Sequence, residues 1–396
     1  MYEIMSADEA IRLIRDGDCI CVNSFVGIEN PTELHEAIYR RYQKMQSPTH
    51  LTIVSSAGFG VWDEEHNAEG YIREGAVDKL ICGHFGAMMS TKKLVLEDRF
   101  EAYNLPLGCI SHAIRAQAGG LPGALSKVGL DIFVDPRKEG PGINRISIDD
   151  SLVRHVEVDG EEFLYYKLPK INIALIKGTA ADRKGNITFD DMFMSGDALS
   201  ICQAVKANRG KVIVQVDRLV DTPSRPRNAI IPGCLVDAIV VAEPEARNEA
   251  YTALTGSFEI PYEEWNTWSE RLDSVSVKQS KNSTVANIIG KRASKELRVD
   301  DIVNIGIGIP EMVSRFARKS GMLDMVTLTV ESGGIGGFPV SGEAFGAMIG
   351  AASVYDMANQ FDLYDNGGLD VCFMGALEVD KEGNIKAIDL YTLSNT

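Results

Sequence analysis

The sequence predicts an α/β fold with two similar open, largely parallel domains, the second of them incomplete. Two observations support this fold. Short apolar segments rich in β-branched residues alternate with helical segments, and one series of segments occurs twice. Strands that alternate with helices form a parallel sheet covered on both faces. The 396 residues, 45% of them hydrophobic, suffice for two domains with separate cores.

The first repeated segment contains the first predicted strand. Residues Ser6–Glu9 are typical of a helix start. Ala10–Gly27 then follows the order helix, turn, strand and glycine loop, and Ala293–Gly308 has the same order. Cys19 and Cys21 alternate along this strand, so we expect both to face one core.

The second repeated segment ends on a residue that differs between the copies. Leu51–Gly58 matches Thr327–Gly334, which aligns Ser55 of the first copy with Glu331 of the second. The apolar run at 325–330 is predicted to be a buried strand. Glu331 is therefore expected at the carboxyl end of a strand, where open α/β sheets bind ligands.

The third repeated segment carries the strongest match. Ile171–Ile187 and Leu369–Ile385 each contain a strand followed by the pattern Asp-x-x-Gly-Asn-Ile. A Gly-Asn pair after Asp-x-x is a turn signature whose repetition by chance is improbable. The first copy continues with a helix near 195–208 and strands near 211–216 and 238–242.

These matches predict the domain boundaries. We expect an N-terminal domain at residues 1–244, a linker at 245–284 and a C-terminal domain at 285–396. The first copy runs on from Asn186 for nearly sixty residues, whereas only residues 385–396 follow Asn384. The second domain is thus expected to lack its closing strands and to expose a sheet edge that another chain would cover.

Composition excludes several classes of partner. The net charge of −16 and the pI of about 4.9 disfavour nucleic acid and anionic membranes as partners. Seven cysteines without a CxxC pair indicate a reducing compartment. The start of the chain lacks the pattern of a signal peptide, and no apolar run is long enough for a membrane span, so a cytoplasmic location is expected.

Glu331 is the leading candidate nucleophile or base by elimination. The six histidines show no metal-ligand spacing, so no metal site is expected. A serine-hydrolase GxSxG elbow and a GxxxxGK[ST] phosphate loop are both absent from the sequence. Four glycines follow Glu331 within six positions and leave bare backbone beside the carboxylate. A tight turn with an incidental surface acid is the alternative.

A second candidate ligand-binding segment follows the first strand of the second copy. The amides of Gly306 and Gly308, with the start of the helix predicted at 312–319, are expected to hold an anionic group. Asn304 points to the same sheet edge and is expected to donate to a carbonyl. A plain turn and a buried, internally satisfied asparagine explain these residues equally well.

Six segments spread over nearly the whole chain resemble those of family I CoA transferases. The resemblance is to the single-chain subgroup that fuses two subunits, close to acetate and propionate CoA-transferases. The segments are Tyr103–Gly108, Val128–Arg137, Lys177–Asn186, Asn304–Pro310, Glu331–Gly337 and Gln360–Asp370.

The resemblance implies a covalent mechanism. Glu331 matches the family's catalytic nucleophile, which takes coenzyme A from an acyl-CoA as a glutamyl-CoA thioester and passes it to a short-chain acid. Gly333 and Gly334 would let the thioester approach. No cofactor is implied beyond coenzyme A as substrate, and the family favours a homo-oligomer. An acyl-CoA hydrolase, or a catalytically impaired CoA-binding subunit, is the alternative.

Two departures from the family pattern bear on the site. Leu107 occupies a position where family members usually carry a glutamine that contacts substrate. Relatives also continue for more than a hundred residues beyond the second Asp-x-x-Gly-Asn segment, through a glycine-rich loop that serves the oxyanion hole. We therefore expect Leu107 to alter acceptor choice or oxyanion stabilisation. For the C-terminal domain we expect either a second chain that completes it or impaired turnover.

Overall fold

The chain separates into two compact units, Met1–Glu249 and Ala250–Thr396. The computed structural model describes residues 2–59, 68–86, 88–243, 284–340, 344–376 and 378–386. The predicted linker, residues 245–284, lies outside the described residues except for Thr284. The predicted boundaries at 244 and 285 therefore stay predictions.

The first unit is built on a large mixed sheet flanked by helices. Its strands are β1 (Glu3–Ile4), β2 (Cys19–Val22), β3 (Phe25–Val26), β4 (Leu51–Ser55), β5 (Ala57–Phe59), β6 (Val77–Cys82), β7 (Glu101–Asn104), β8 (Ala124–Ser126), β9 (Val153–Val158), β10 (Glu161–Tyr166), β11 (Ile173–Asp182), β12 (Ile187–Thr188), β13 (Lys211–Val220), β14 (Ala229–Ile231) and β15 (Ala238–Val241). Its helices are α1 (Ala7–Ala10), α2 (Thr32–Met45), α3 (Glu69–Arg73), α4 (Met89–Leu96), α5 (Leu107–Ala118) and α6 (Ala198–Ala207).

The main sheet has the order β1-β15-β13-β11-β2-β4-β6-β7, and each neighbouring pair on this path is parallel. Strands β12 and β14 add antiparallel pairing beside β11, and β8-β10-β9 form a separate antiparallel sheet. Cys19 and Cys21 belong to one buried core, as predicted. The Ser6 hydroxyl and the Glu9 carboxylate form a capping box at α1, which confirms the predicted helix start.

The second unit contains a smaller sheet. Its elements are α7 (Thr284–Ala293), β16 (Ile302–Ile305), α8 (Met312–Lys319), β17 (Thr327–Thr329), β18 (Gly334–Ile335), β19 (Phe338–Pro339), β20 (Met348–Ile349), β21 (Ser353–Val354), α9 (Met357–Asp365), β22 (Val371–Phe373), β23 (Glu378–Val379) and β24 (Ile385–Lys386). The sheet order is β21-β18-β17-β16-β22. Strands β17, β16 and β22 are parallel, whereas β18 and β21 run antiparallel.

The two units share the arrangement that the sequence repeat predicts. The parallel series β11-β2-β4 of the first unit corresponds to β22-β16-β17 of the second. The Asp-x-x-Gly-Asn turns also agree in their hydrogen bonds. Asn186 donates its backbone and side-chain N–H groups to the Asp182 carboxylate, at 3.0 and 2.9 Å. Asn384 donates the same two groups to Asp380, both at 2.8 Å.

Candidate active site at the carboxyl ends of β16, β17 and β22

Glu331 lies in a tight turn that reverses the chain between β17 and β18. Gly333 donates its backbone N–H to the Val330 carbonyl at 3.1 Å, and Val330 donates back to the Gly334 carbonyl at 3.0 Å. The buried Ser332 hydroxyl donates to the Gly346 carbonyl and anchors the turn. The Glu331 side chain therefore projects from backbone that is held on both sides.

Packing explains why residues 333 and 334 of this turn are glycines. Gly333 has a φ of +118°, and a Cβ there would lie 2.0 Å from the Tyr355 carbonyl oxygen. A Cβ at Gly334 would lie 2.8 Å from the Met348 Cβ. The sequence suggested close approach of a substrate at these positions, but in the structure protein atoms occupy the faces that a Cβ would fill. Contact of Gly333 and Gly334 with ligand stays a prediction.

The Glu331 carboxyl group is held in a setting that disfavours its charge. The residue as a whole is partly exposed, but its Oε2 is inaccessible to solvent and has no hydrogen-bond partner. Burial raises the pKa of Glu331, while its own backbone amide and the Asn304 side chain act in the opposite direction. An under-solvated carboxylate of this kind is more nucleophilic than one paired with water.

Asn304 links the three parallel strands at the same edge. It is the third of the four residues of β16, is 4% exposed, and lies in register with Thr329 of β17 and Cys372 of β22. Its Nδ2 donates to the Tyr364 hydroxyl at 3.3 Å, and its Oδ1 accepts from the Cys372 Sγ at 3.5 Å. These partners fit the alternative of a buried, internally bonded asparagine. Donation from Asn304 to a carbonyl stays a prediction.

Sequence reasoning missed the residues around Asn304. Tyr364 of α9 donates to the Thr329 Oγ1 at 2.8 Å, and Thr329 donates to the Val303 carbonyl at 3.0 Å. Burial, and then the charge of Glu331, raise the pKa of Tyr364 to about 12. Cys372 is exposed as a residue, but its thiol packs against Asn304, and burial of the thiol and the charge of Glu331 raise the pKa of Cys372 to about 11. Both groups are therefore protonated at neutral pH.

Another missed residue, Gln360, lies one helical turn before Tyr364. Its side chain is 0% exposed, and neither amide atom forms a hydrogen bond of standard geometry, although the amide is near enough to the Tyr364 hydroxyl to lower the pKa of that tyrosine. The only signal in the sequence was that Gln360 and Tyr364 fall within one of the segments that resemble the CoA transferases. Periodicity would assign such residues to the apolar side of a helix without indicating a polar network.

The two glycines after β16 have different environments. Gly306 donates its N–H to the Phe373 carbonyl at 2.8 Å and thereby extends the pairing with β22. Gly308 has a φ of +91° and open space where a Cβ would lie, but its N–H already donates to the Glu311 carboxylate at 2.8 Å. Anion binding by these two amides stays a prediction.

Leu107 belongs to the first unit, where it begins α5. A Cβ at Gly83 would lie 2.8 Å from the Leu107 Cγ, so the leucine side chain covers the glycine backbone. Its part in the site of the second unit stays a prediction.

The position of Glu331, Asn304 and Cys372 matches the usual ligand position in open α/β sheets. From β16 the chain moves to β17 on one side and later returns to β22 on the other, so the strand order reverses at the β16–β22 junction. A crevice forms outside the carboxyl ends of the strands at such a reversal. Within the ranges that the structure describes, no helix combines the length and apolarity needed to cross a membrane.

Comparison with known protein families gives one family match. Residues 4–242 match the model of the coenzyme A transferase family, which accounts for most of the first unit.

Comparison with curated proteins extends the similarity over both units. The chain is 37% identical over 384 residues to the acetate CoA-transferase YdiF of Escherichia coli (strain K12), with 96% of this chain and 70% of the relative aligned. It is 35% identical over 389 residues to the caffeate CoA-transferase of Acetobacterium woodii, covering 97% of this chain and 72% of that protein.

A solved structure agrees with both relatives. The crystal structure of the acyl-CoA transferase YdiF from E. coli O157:H7, described as a thioester complex with CoA, superimposes with a TM-score of 0.83 at 33% identity. The match covers 97% of this chain and 70% of that chain.

Proposed function

The chain belongs to the coenzyme A transferase family and is a CoA-transferase, and on this basis we propose that Glu331 is its covalent nucleophile. We propose that coenzyme A passes from a short-chain acyl-CoA to a carboxylic acid through a glutamyl-CoA thioester. The observation that carries this proposal is the Glu331 carboxyl group, with one oxygen buried and unpartnered at the carboxyl end of β17.

The reaction needs a nucleophile that preserves the energy of the thioester. A Glu331 oxygen attacks the acyl carbon, the C–S bond breaks, and CoA thiolate leaves an acyl-glutamyl anhydride. The thiolate then attacks the glutamyl carbon and releases the donor acid, which gives the glutamyl-CoA thioester. The acceptor carboxylate repeats these steps in reverse. A carboxylate suits this exchange because its own acyl derivatives are as activated as the substrate.

Exclusion of water is the second requirement, because hydrolysis would consume the intermediates. The inaccessible Oε2 and the raised pKa of Glu331 both support a site that is poorly hydrated. Each tetrahedral intermediate also needs an oxyanion donor, whose loss costs about 100- to 1000-fold in rate. We propose that five residues of the second unit contribute to substrate binding, namely Asn304, Gly306, Gly308, Gly333 and Gly334. Leu107 of the first unit is proposed as a further substrate-binding residue.

The relatives support the choice of substrates. The name of one relative specifies acetate and that of the other specifies caffeate, both of them carboxylates. The E. coli structure is described as a thioester complex with CoA, which is the type of intermediate proposed for this chain. We propose that this chain uses no cofactor beyond coenzyme A as substrate.

The outer edge of β22 supports a proposal about assembly. Among the described residues β22 pairs with β16 alone, Cys372 is exposed, and Met374 is 56% exposed. Unpaired N–H and C=O groups at such an edge bind further strands. We propose a homo-oligomer in which this edge is covered, or a complex with a second chain that covers it. A cytoplasmic location stays a prediction.

Transfer is tested by incubating the protein with acetyl-CoA and isotope-labelled propionate. We expect propionyl-CoA to form, with little free thiol released in the absence of propionate. Equal release of free CoA with and without the acid, and no propionyl-CoA, would identify a hydrolase, the alternative activity. CoA-dependent thermal stabilisation without either activity would identify a CoA-binding subunit.

A further inference from the structure

We propose that Tyr364 is a positioning residue, which orients the side-chain amide of Asn304 so that one of its N–H bonds is directed at Glu331. This inference rests on the proposed role of Glu331 as the nucleophile. It is carried by a series of hydrogen bonds that all run in one direction. The series starts at the Val303 carbonyl and passes through Thr329 and Tyr364 to Asn304.

The direction of the series follows from the donors and acceptors present. A carbonyl oxygen only accepts, so the 3.0 Å contact between Thr329 Oγ1 and the Val303 carbonyl uses the single hydroxyl hydrogen of Thr329. Thr329 Oγ1 must then accept from the Tyr364 hydroxyl, 2.8 Å away. The only hydroxyl hydrogen of Tyr364 is thereby used, and its oxygen is left as an acceptor.

The Tyr364 hydroxyl oxygen determines the orientation of the Asn304 side-chain amide. Only the Nδ2 end of the amide can donate to that oxygen, so the contact of 3.3 Å determines which end of the amide faces α9. Cys372 supports the same orientation, because its thiol donates to Oδ1 from the other side at 3.5 Å. Atom assignment in an asparagine amide is ordinarily ambiguous, but here two neighbours of opposite character determine it.

The oriented amide has one N–H bond left. Nδ2 carries two hydrogens, one of which Tyr364 accepts at 3.3 Å. The Asn304 side chain is near enough to the Glu331 carboxylate to lower the pKa of Glu331, and we propose that the second hydrogen is directed at this carboxylate. A rotated amide would present Oδ1 to the carboxylate, and the two acceptors would repel each other. Glu331 would then lose the side-chain donor that holds it and favours its charged form.

The functional consequence is a rate effect on the first covalent step. Hydrogen bonds to charged groups in proteins are strong enough that loss of one changes a rate by about 10- to 100-fold. Tyr364 does not itself need to contact the substrate for this effect. Its role differs from that of a core tyrosine, because removal of the hydroxyl alone should alter the ionisation of Glu331.

The test is single-turnover formation of the glutamyl-CoA thioester from acetyl-CoA in rapid-quench experiments. For Tyr364→Phe we expect the rate to fall about 10- to 100-fold, with the dissociation constant for CoA within about twofold of wild type. We also expect the acid limb of the rate profile to move to higher pH. The other titratable groups facing Glu331, Tyr364 and Cys372, are protonated throughout this range because their pKa values are raised.

Thr329 provides a second, independent variant. Thr329→Val removes the acceptor that fixes the Tyr364 hydrogen while keeping the side-chain shape, so it should slow the same step. Thr329→Ser keeps the hydroxyl and should restore the rate relative to Thr329→Val. The double variant Tyr364→Phe/Thr329→Val should be no slower than the slower single variant, because both changes break one series.

Controls separate this inference from the proposed function. Tyr39→Phe removes a hydroxyl that donates to Glu74 at 2.8 Å on the first unit and should leave the rate unchanged. If Glu331→Gln abolishes thioester formation while Tyr364→Phe and Thr329→Val match wild type in rate and pH profile, the positioning role is wrong and the nucleophile stands. If Glu331→Gln still forms the thioester, the proposed function itself is wrong.

Discussion

The Asp-x-x-Gly-Asn turn occurs in both units. In the first unit neighbouring segments bond to it, and in the second it is exposed. In the first unit, the Asn186 Oδ1 accepts the Gly233 N–H at 3.0 Å, and the Asp182 carboxylate accepts the Ser224 N–H at 3.0 Å. In the second unit, Asp380 and Asn384 form the same internal hydrogen bonds and are exposed. A short sequence signature thus determines the turn, while its surroundings determine how much stability the turn contributes.

The strands that precede these turns show the same contrast. All ten residues of β11 are buried, and β2 and β13 pair with it on both sides. In the described part of the second unit, β22 has a single neighbour and an exposed cysteine. The candidate site lies beside this less enclosed strand. The comparison indicates that the first unit encloses the strand before its turn, whereas the second leaves β22 with one edge unpaired among the described residues.

The largest expected effect comes from the position at which the copies differ in chemistry. Ser55 is 0% exposed with an unpartnered hydroxyl, and its repeat counterpart is Glu331. Glu331→Gln should reduce steady-state transfer from acetyl-CoA to propionate by about 1000-fold or more, because no covalent intermediate can form. Ser55→Ala should change the rate less than about twofold. Equal losses in the two variants would break the comparison.

The next effect tests the backbone that holds Glu331. Gly333→Ala places a Cβ against the Tyr355 carbonyl at a φ of +118°, and we expect a loss of about 3 kcal/mol or more of unfolding free energy. Gly160 has a φ of +81° with open space around it, so Gly160→Ala should cost about 1 kcal/mol from strain alone. Denaturant titration measures both. A Gly333→Ala variant as stable as Gly160→Ala would contradict the packing account.

The two Asp-x-x-Gly-Asn turns provide a matched pair of variants with a smaller expected effect on stability. Asn186→Ala should destabilise the protein by about 1–3 kcal/mol, because it leaves the Gly233 N–H without its acceptor. Asn384→Ala removes only bonds within an exposed turn and should cost about 0.5 kcal/mol or less. Thermal unfolding of the two variants would measure the difference. A reversed order would show that the exposed turn is the better stabilised one.

The smallest expected effect is a pH-dependent change in the melting temperature. Because the folded-state pKa of Glu331 is raised above its ordinary value of 4.5, its favourable contribution is complete below pH 4.5 and is lost as the pH rises through the folded pKa. Glu331→Gln removes the cost of burying this charge. It should therefore raise the melting temperature at pH 7 by about 2–4 °C for each kcal/mol of that cost, with no gain at pH 4. A gain of equal size at both pH values would mean that charge is not the cause.

Asp182 should respond to pH in the opposite way. Backbone and side-chain donors lower its pKa to about 2 despite its burial, so its contribution is present above pH 3.8 and is lost as the pH falls toward the folded value. Acid should therefore weaken the first unit at a pH where Glu331 no longer strains the second.

Local patterns sufficed to predict the duplicated framework and the place of Glu331 just after a strand. The Asp-x-x-Gly-Asn turns, the strand order around β2 and β16, and the helix start at Ser6 each depend on neighbouring residues. The network around Asn304 could not be predicted, because Thr329, Tyr364 and Cys372 come from separate segments that meet only in the folded sheet. Packing against Tyr355 and Met348 explains why residues 333 and 334 are glycines. The sequence alone did not provide this reason.

The central claim is that Glu331 carries coenzyme A during turnover. The most direct measurement is to incubate the protein with acetyl-CoA, reduce with borohydride, and map the peptide that contains Glu331 by mass spectrometry. A glutamyl thioester would be reduced to the alcohol with release of CoA thiol, so we predict a modified Glu331 that appears only when acetyl-CoA is present. An unmodified Glu331 in protein that is actively transferring CoA would contradict the account.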